Sequence, residues 1–133
     1  MSAPDTAPSE RPPRSLRRSF AAMVLVGEVL VVGFAALVAK DLSGVSGRTV
    51  AVAAGVTAVL ALLAAGLLRS RVGYLLGWLV QVVLVVSGVW VPMMFFVGIV
   101  FAVVWGFVLV AGGRADAVTA QRIAAAGRAE PGR

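Results

Sequence analysis

A stretch of 42 residues, Val72 to Gly113, contains no charged side chain. As one helix it would be about 63 Å long, twice the hydrocarbon thickness of a bilayer, so the chain must turn inside it. Proline is tolerated in the first turn of a helix but not in its interior, and Gly88 and Trp90 suit a turn at the membrane surface. Pro92 therefore marks a new span, and we expect spans at about 72–89 and 92–110.

Two further apolar stretches precede this one, at about 20–39 and 49–68. Each has about twenty residues, which is enough to cross a bilayer as a helix. With 133 residues and 60% hydrophobic content, the chain is too short for several domains and too apolar for an ordinary soluble fold. The sequence predicts an all-α membrane protein with four transmembrane helices in residues 17–113.

The two ends differ from this central domain in composition. Residues 1–16 are rich in proline, serine and charge and have no apolar face, so we expect a disordered tail. Gly112 and Gly113 are expected to end the last helix. Residues 114–133 then form a cytoplasmic tail, whose alanine content would support a short helix.

The distribution of basic residues predicts the orientation. With both termini on one side, that side has ten Lys and Arg residues, and the opposite side has only Lys40 and Arg48. This bias places both termini in the cytoplasm. The arginines that flank the spans are expected to contact anionic lipid head groups rather than nucleic acid; they are Arg14, Arg17, Arg18, Arg69, Arg71 and Arg114.

Glu28 is the one acidic residue deep inside a span. It lies roughly 15 Å from Arg18 along the first helix, near the midplane of the bilayer. A carboxyl group in hydrocarbon costs several kcal/mol unless it is paired, hydrated or protonated, so it marks a candidate functional site. Ala21, Ala35 and Ala39 share its side of the helix, and such a small-residue face allows another helix to come close.

Gln81, at similar depth in the third span, is the candidate partner of Glu28. A carboxyl and an amide can satisfy each other's donors and acceptors, so the pair could hold two helices together. The alternative is a proton or cation site at Glu28 in a small transporter or channel. Thr57 and Ser87 are weaker polar candidates, and Thr57 is expected to hydrogen-bond to its own helix.

Small residues four positions apart indicate close helix packing. In the third span Gly73 and Gly77 precede Gln81 at this spacing, and in the fourth span Gly98, Ala102 and Gly106 repeat it. These faces would serve packing within the bundle, a homo-oligomer or a partner membrane helix.

The sequence contains little catalytic equipment. There is no Cys and no His, which removes disulfides, thiol chemistry, zinc sites and imidazole catalysis. No phosphate-binding loop, nucleophile elbow or pair of deep carboxylates is present. We therefore expect no enzyme activity, no metal and no cofactor.

Three segments resemble the actinobacterial membrane family known as domain of unknown function 4233. They are RSLRRSFAAMVLVGEVLVV with its mid-span glutamate, GWLVQVVLVVSG, and VPMMFFVGIVFAVVWGF followed by GGRAD. The resemblance implies a four-helix protein of the bacterial plasma membrane, often encoded beside a folylpolyglutamate synthase gene, with no activity assigned. The compositional bias towards Ala, Gly, Val and Arg is typical of a GC-rich bacterial genome.

The layout of the chain is also similar to that of the small multidrug resistance transporters. Those proteins have four short spans with a lone glutamate in the first, which exchanges protons for cationic drugs. Their other helix motifs are not found here, and the strong charge bias fixes one orientation. An accessory or structural membrane protein is the favoured interpretation, and proton-coupled transport is the alternative.

Overall fold

The computed structural model describes residues 15–42 and 44–129, which are all α-helical apart from the turns. Four helices follow one another along the chain: α1 (Leu16–Leu42), α2 (Gly47–Gly66), α3 (Arg71–Ser87) and α4 (Met93–Ala129). The predicted all-α class with four helices is confirmed. The predicted N-terminal tail lies almost entirely outside the described residues, and so does Arg14.

The surface of the bundle is apolar, as expected for a chain whose solvent is lipid. Three helices, α1, α2 and α4, are long and apolar enough to cross a membrane. The 17 residues of α3 are also apolar and would extend about 25 Å. Large side chains such as Phe34, Phe96 and Phe107 are exposed around the outside. Such a surface would aggregate in water, so the fold is that of a membrane protein.

Short polar segments and glycines end and connect the helices. The Ser46 hydroxyl caps α2 by accepting a hydrogen bond from the backbone N–H of Thr49, at 3.2 Å. Gly73 lies against the backbone of Leu67, and a side chain there would prevent α3 from returning beside α2. The turn between α3 and α4 occupies residues 88–92, as Pro92 predicted.

Helix α4 does not end where the sequence suggested. Gly112 and Gly113 were expected to terminate it, but the helix continues to Ala129. Both glycines keep negative φ angles, since Gly44 is the one described glycine with a positive φ. A Cβ atom on Gly112 would lie 2.6 Å from the Cα atom of Arg17, so this glycine permits close packing on α1 instead of ending the helix.

The four helices form a ring in which each packs against two neighbours. Helix α1 packs against α2 and α4, and α3 packs against the same two helices, so α1 and α3 lie diagonally across the bundle. The fully buried core includes Leu25, Leu68, Val80 and Trp105. Any contact between α1 and α3 must therefore cross the interior.

Candidate functional site: a buried carboxyl and amide pair

Glu28 lies near the middle of α1 and points into the bundle, with 1% of its surface exposed. Ala21, Leu25 and Val32 lie on the same side of the helix and are also buried, and Ala39 continues this side towards the helix end. Helical spacing puts these residues on one face, so the fold that buries Leu25 and Val32 necessarily buries Glu28 with them.

Gln81 lies on the interior face of α3 and is 1% exposed. Its Nε2 atom donates a hydrogen bond to Oε1 of Glu28, across 53 residues of sequence. The predicted contact between the two side chains is confirmed. Because α1 and α3 lie diagonally, this bond crosses the centre of the bundle.

The pair does not satisfy all of its own hydrogen-bonding capacity. Within the described residues, Oε2 of Glu28 and Oε1 of Gln81 are buried and have no hydrogen-bond partner. The indole Nε1 atom of Trp105 is also buried without a hydrogen-bond partner among the described residues. Buried polar atoms are normally paired, and those left over mark places where a proton, a water or a ligand group can bind. The arrangement can join two helices and can hold or release one proton at Glu28.

Trp105 fills the interior next to the pair. The sequence did not single out this tryptophan as a core residue. The tryptophan is 0% exposed, and its indole ring lies against Gly77, one helical turn before Gln81. A Cβ atom on Gly77 would lie 2.6 Å from Cη2 and 2.9 Å from Cε2 of the ring, so the close approach requires a glycine. The sequence signal for this close packing was the glycine spacing, which placed Gly77 and Gln81 on one face of α3.

The two weaker polar candidates do not join the pair. The Thr57 hydroxyl donates to the backbone oxygen of Ala53 at 2.8 Å, as expected for a hydroxyl in a membrane helix. The Ser87 hydroxyl donates to the backbone oxygen of Leu84 at 2.6 Å. Each side chain satisfies its own donor locally.

The predicted packing face on α4 is only partly formed. A Cβ atom on Gly98 would lie 2.7 Å from the backbone nitrogen of Val85, so this glycine brings α4 close to α3. Ala102 is half-buried. Gly106 has no described atom within 4 Å of the position of its missing Cβ, so its lack of a side chain does not bring another described helix close. Eight residues rotate a helix by about 80° beyond two full turns, so Gly98 and Gly106 do not share one line.

An apolar cavity of about 300 Å³ lies beside the pair, towards the end of the bundle opposite Ser15. Its lining begins one helical turn after each member of the pair, at Val32 and Leu84. Thr57 and Ser87 also line it. Glu28 and Gln81 are not lining residues, so the cavity adjoins the site without containing it.

A second polar cluster joins the start of α1 to α4. The Ser15 hydroxyl donates to Oδ2 of Asp116 at 2.5 Å, and the backbone N–H of Leu16 donates to Oδ1 at 2.8 Å. The hydrogen bond from Ser15 is the main cause that holds the pKa of Asp116 below its usual value. The guanidinium of Arg17 lies over the ring of Tyr74, 4.4 Å from its centroid. Sequence inspection missed Asp116, although it belongs to the GGRAD segment.

The remaining arginines named from the sequence lie at the surface. Arg69, Arg71 and Arg114 are exposed and Arg18 is half-buried. Positions at the ends of apolar stretches allow long basic side chains to reach lipid head groups. Among the described residues, no three His, Cys, Asp or Glu side chains are grouped closely enough to hold a metal ion.

Comparison with known proteins identifies the family. The model of the family described as "protein of unknown function (DUF4233)" matches residues 18–121, most of the chain. The protein belongs to the DUF4233 family. The match covers Glu28, Gln81, Trp105 and Asp116, so both polar clusters of this DUF4233 protein involve the family region. Neither the curated proteins nor the solved structures contain a match.

Proposed function

We propose that this DUF4233 protein is a non-enzymatic accessory or structural protein of the bacterial plasma membrane. The observation that carries the proposal is the hydrogen bond between Glu28 and Gln81, which joins two diagonal helices through an apolar interior. Satisfying a polar side chain inside a bilayer requires a partner on another helix, so this pair favours one arrangement of the bundle over its alternatives.

The same proposal includes the orientation and the partners. Both termini are in the cytoplasm, which is supported by the bias of ten Lys and Arg residues against two. The arginines at the cytoplasmic ends of the helices contact anionic lipids. An accessory role would be exercised through the apolar outer surface, on a second copy or on a helix of another membrane protein.

A double-mutant cycle tests the structural role. The variants Glu28→Ala, Gln81→Ala and the double variant are unfolded in mixed detergent micelles, and their free energies of unfolding are compared. We expect a coupling of about 0.6 kcal/mol, the average for hydrogen bonds inside membrane proteins. Glu28→Ala combined with Thr119→Ala is the control, because the Thr119 hydroxyl donates to its own helix, at the backbone oxygen of Ala115. Additive losses for Glu28 and Gln81 would contradict the proposal.

Proton-coupled transport is a second candidate, favoured by the unpartnered Oε2 atom of Glu28 and by the cavity one turn away. Its test is the proton or cation flux of purified protein in liposomes. Transport through Glu28 predicts a flux that Glu28→Gln abolishes without lowering the folded yield. Asp41→Asn makes the same chemical change at an exposed carboxylate and should keep the flux. Equal fluxes in the wild type and in well-folded Glu28→Gln would rule out this candidate.

A further inference from the structure

The two halves of the bundle are filled differently. In the half nearer Ser15, large side chains such as Leu25, Leu68 and Trp105 fill the interior and are almost completely buried. In the other half, buried residues such as Val32 and Leu84 surround the cavity. Small side chains contributed by α1 and α2 leave this space, and the main ones are Ala35, Ala36, Ala39, Ala53 and Ala54. The division between the halves is the Glu28 and Gln81 pair.

The lining of the cavity extends along the helices. Its lining on α1 runs from Val32 to Ala39, which is about 10 Å of helix, and on α2 from Thr49 to Thr57, about 12 Å. Its volume of about 300 Å³ is roughly twice that of an engineered apolar cavity, about 150 Å³, that binds benzene and stays dry. A space of this shape suits a segment of a single aliphatic chain.

The hydroxyl groups in the wall are already engaged. The hydroxyls of Thr57 and Ser87 donate to carbonyl oxygens of their own helices. The Thr49 hydroxyl lies 2.8 Å from the Ser46 hydroxyl, with which it shares a hydrogen bond. Apart from the indole N–H of Trp90, the rest of the lining is apolar, so the part of a ligand that enters the cavity must be apolar too.

The end of the cavity farther from Glu28 has two basic residues beside it in the chain. Lys40 follows the lining residue Ala39, and Arg48 precedes the lining residue Thr49. Asp41, the one described carboxylate in this region, is 3.7 Å from Lys40. Arg48 lies in the first turn of α2, where the positive end of the helix dipole adds to its charge. This end of the cavity therefore favours an anion and disfavours a lipophilic cation.

We propose that the cavity binds a fatty acid, with the aliphatic chain between the helices and the carboxylate at Arg48 and the first turn of α2. A single-chain acid matches both the apolar space along the helices and the basic residues at its end. A phospholipid brings two chains to a space that accommodates one. The site is independent of the proposed structural role, because neither Glu28 nor Gln81 lines it.

Tryptophan fluorescence provides the assay, because Trp90 lines the cavity. The full-length protein in detergent micelles is titrated with a stearic acid brominated on its chain, which quenches tryptophan on contact. The exposed Trp78 is replaced in all samples by Trp78→Phe, so that the signal reports mainly on Trp90. We expect saturable quenching. Quenching that rises without saturation would mean simple partition into the micelle and would overturn the proposal.

Variants that fill the cavity test the location. Ala53→Leu places a larger side chain in the wall, where it occupies volume that the aliphatic chain would fill, and the dissociation constant of the brominated acid should rise about tenfold or more. Ala51→Leu makes the same change on an exposed part of α2 outside the lining and should bind as before. Ala36→Leu fills the cavity from α1 and keeps the test valid if Ala53→Leu does not fold. Unchanged binding in a folded cavity-filling variant would contradict the proposal.

The head group is tested with Arg48→Gln and a neutral probe. This variant should weaken binding of the brominated acid several-fold and leave binding of its methyl ester unchanged. Equal loss of both probes, or no loss of the acid, would contradict a carboxylate site at Arg48. The last comparison uses a brominated two-chain phospholipid. If its quenching saturates at the same concentration as that of the brominated acid, the occupant is a bilayer lipid and the proposal is wrong.

Discussion

The contact between Gly77 and Trp105 offers the sharpest test of the packing. Replacing Gly77 by alanine adds one methyl group where the indole ring lies, 2.6 Å from Cη2. Trp105 is 0% exposed and cannot move aside without displacing its neighbours. Adding a methyl group to a packed interior typically costs about 1–3 kcal/mol, while exchanging glycine for alanine in a helix contributes about 1 kcal/mol in the opposite direction.

Gly106→Ala is the matched control for this substitution. Gly106 is also within a membrane helix, but it has no described neighbour near its missing Cβ. Both variants gain the same helix propensity, so the difference between their free energies of unfolding isolates the steric term. Gly77→Ala should be less stable than Gly106→Ala by about 1–3 kcal/mol, measured by unfolding in mixed detergent micelles. Equal stabilities, or a more stable Gly77→Ala, would refute the packing of Trp105 on α3.

Three further predictions concern the ends of the bundle. Hydrogen bonds hold the pKa of Asp116 below its usual value of about 4, so the ionised form stabilises the fold. This stability is present at neutral pH and is lost as the pH falls through the lowered pKa. When the melting temperature is measured against pH, Asp116→Asn should lack this contribution. Gly112→Leu should separate α4 from the start of α1 and lower the melting temperature, whereas Gly127→Leu, at an open position, should not. Because the chain has no cysteine, the single variants Asp41→Cys and Arg122→Cys report the topology. With both termini in the cytoplasm, a thiol reagent that cannot cross the membrane of intact cells should label only Asp41→Cys. Labelling of Arg122→Cys alone would reverse the proposed orientation.

The central polar contact was predictable because the sequence offers few alternatives. Glu28 and Gln81 are the polar residues deepest in their spans, and an unpaired carboxyl in hydrocarbon is costly enough to make its partner identifiable. The turn at Pro92 was predictable for a similar reason. An uncharged run twice the membrane thickness must turn, and proline has one favourable position there.

Other features depend on how closely the helices approach, which the sequence does not specify. Gly112 looks like a helix terminator by local propensity, yet packing on Arg17 keeps it within α4. Tertiary contact overrides the local preference here. The cavity is likewise a property of several alanines on different helices, and each of them alone is an ordinary apolar residue. Asp116 acquires its partners across 100 residues of sequence.

Cross-linking in native membranes tests the contact between Glu28 and Gln81 most directly. The chain has no cysteine of its own, so Glu28→Cys with Gln81→Cys provides a single pair of thiols. A short bifunctional thiol reagent should join them within one chain. Glu28→Cys with Val82→Cys is the control, because Val82 is the next residue on α3 and faces outward. Selective joining of the first pair is the predicted result, and equal joining of both pairs, or links only between chains, would contradict the account.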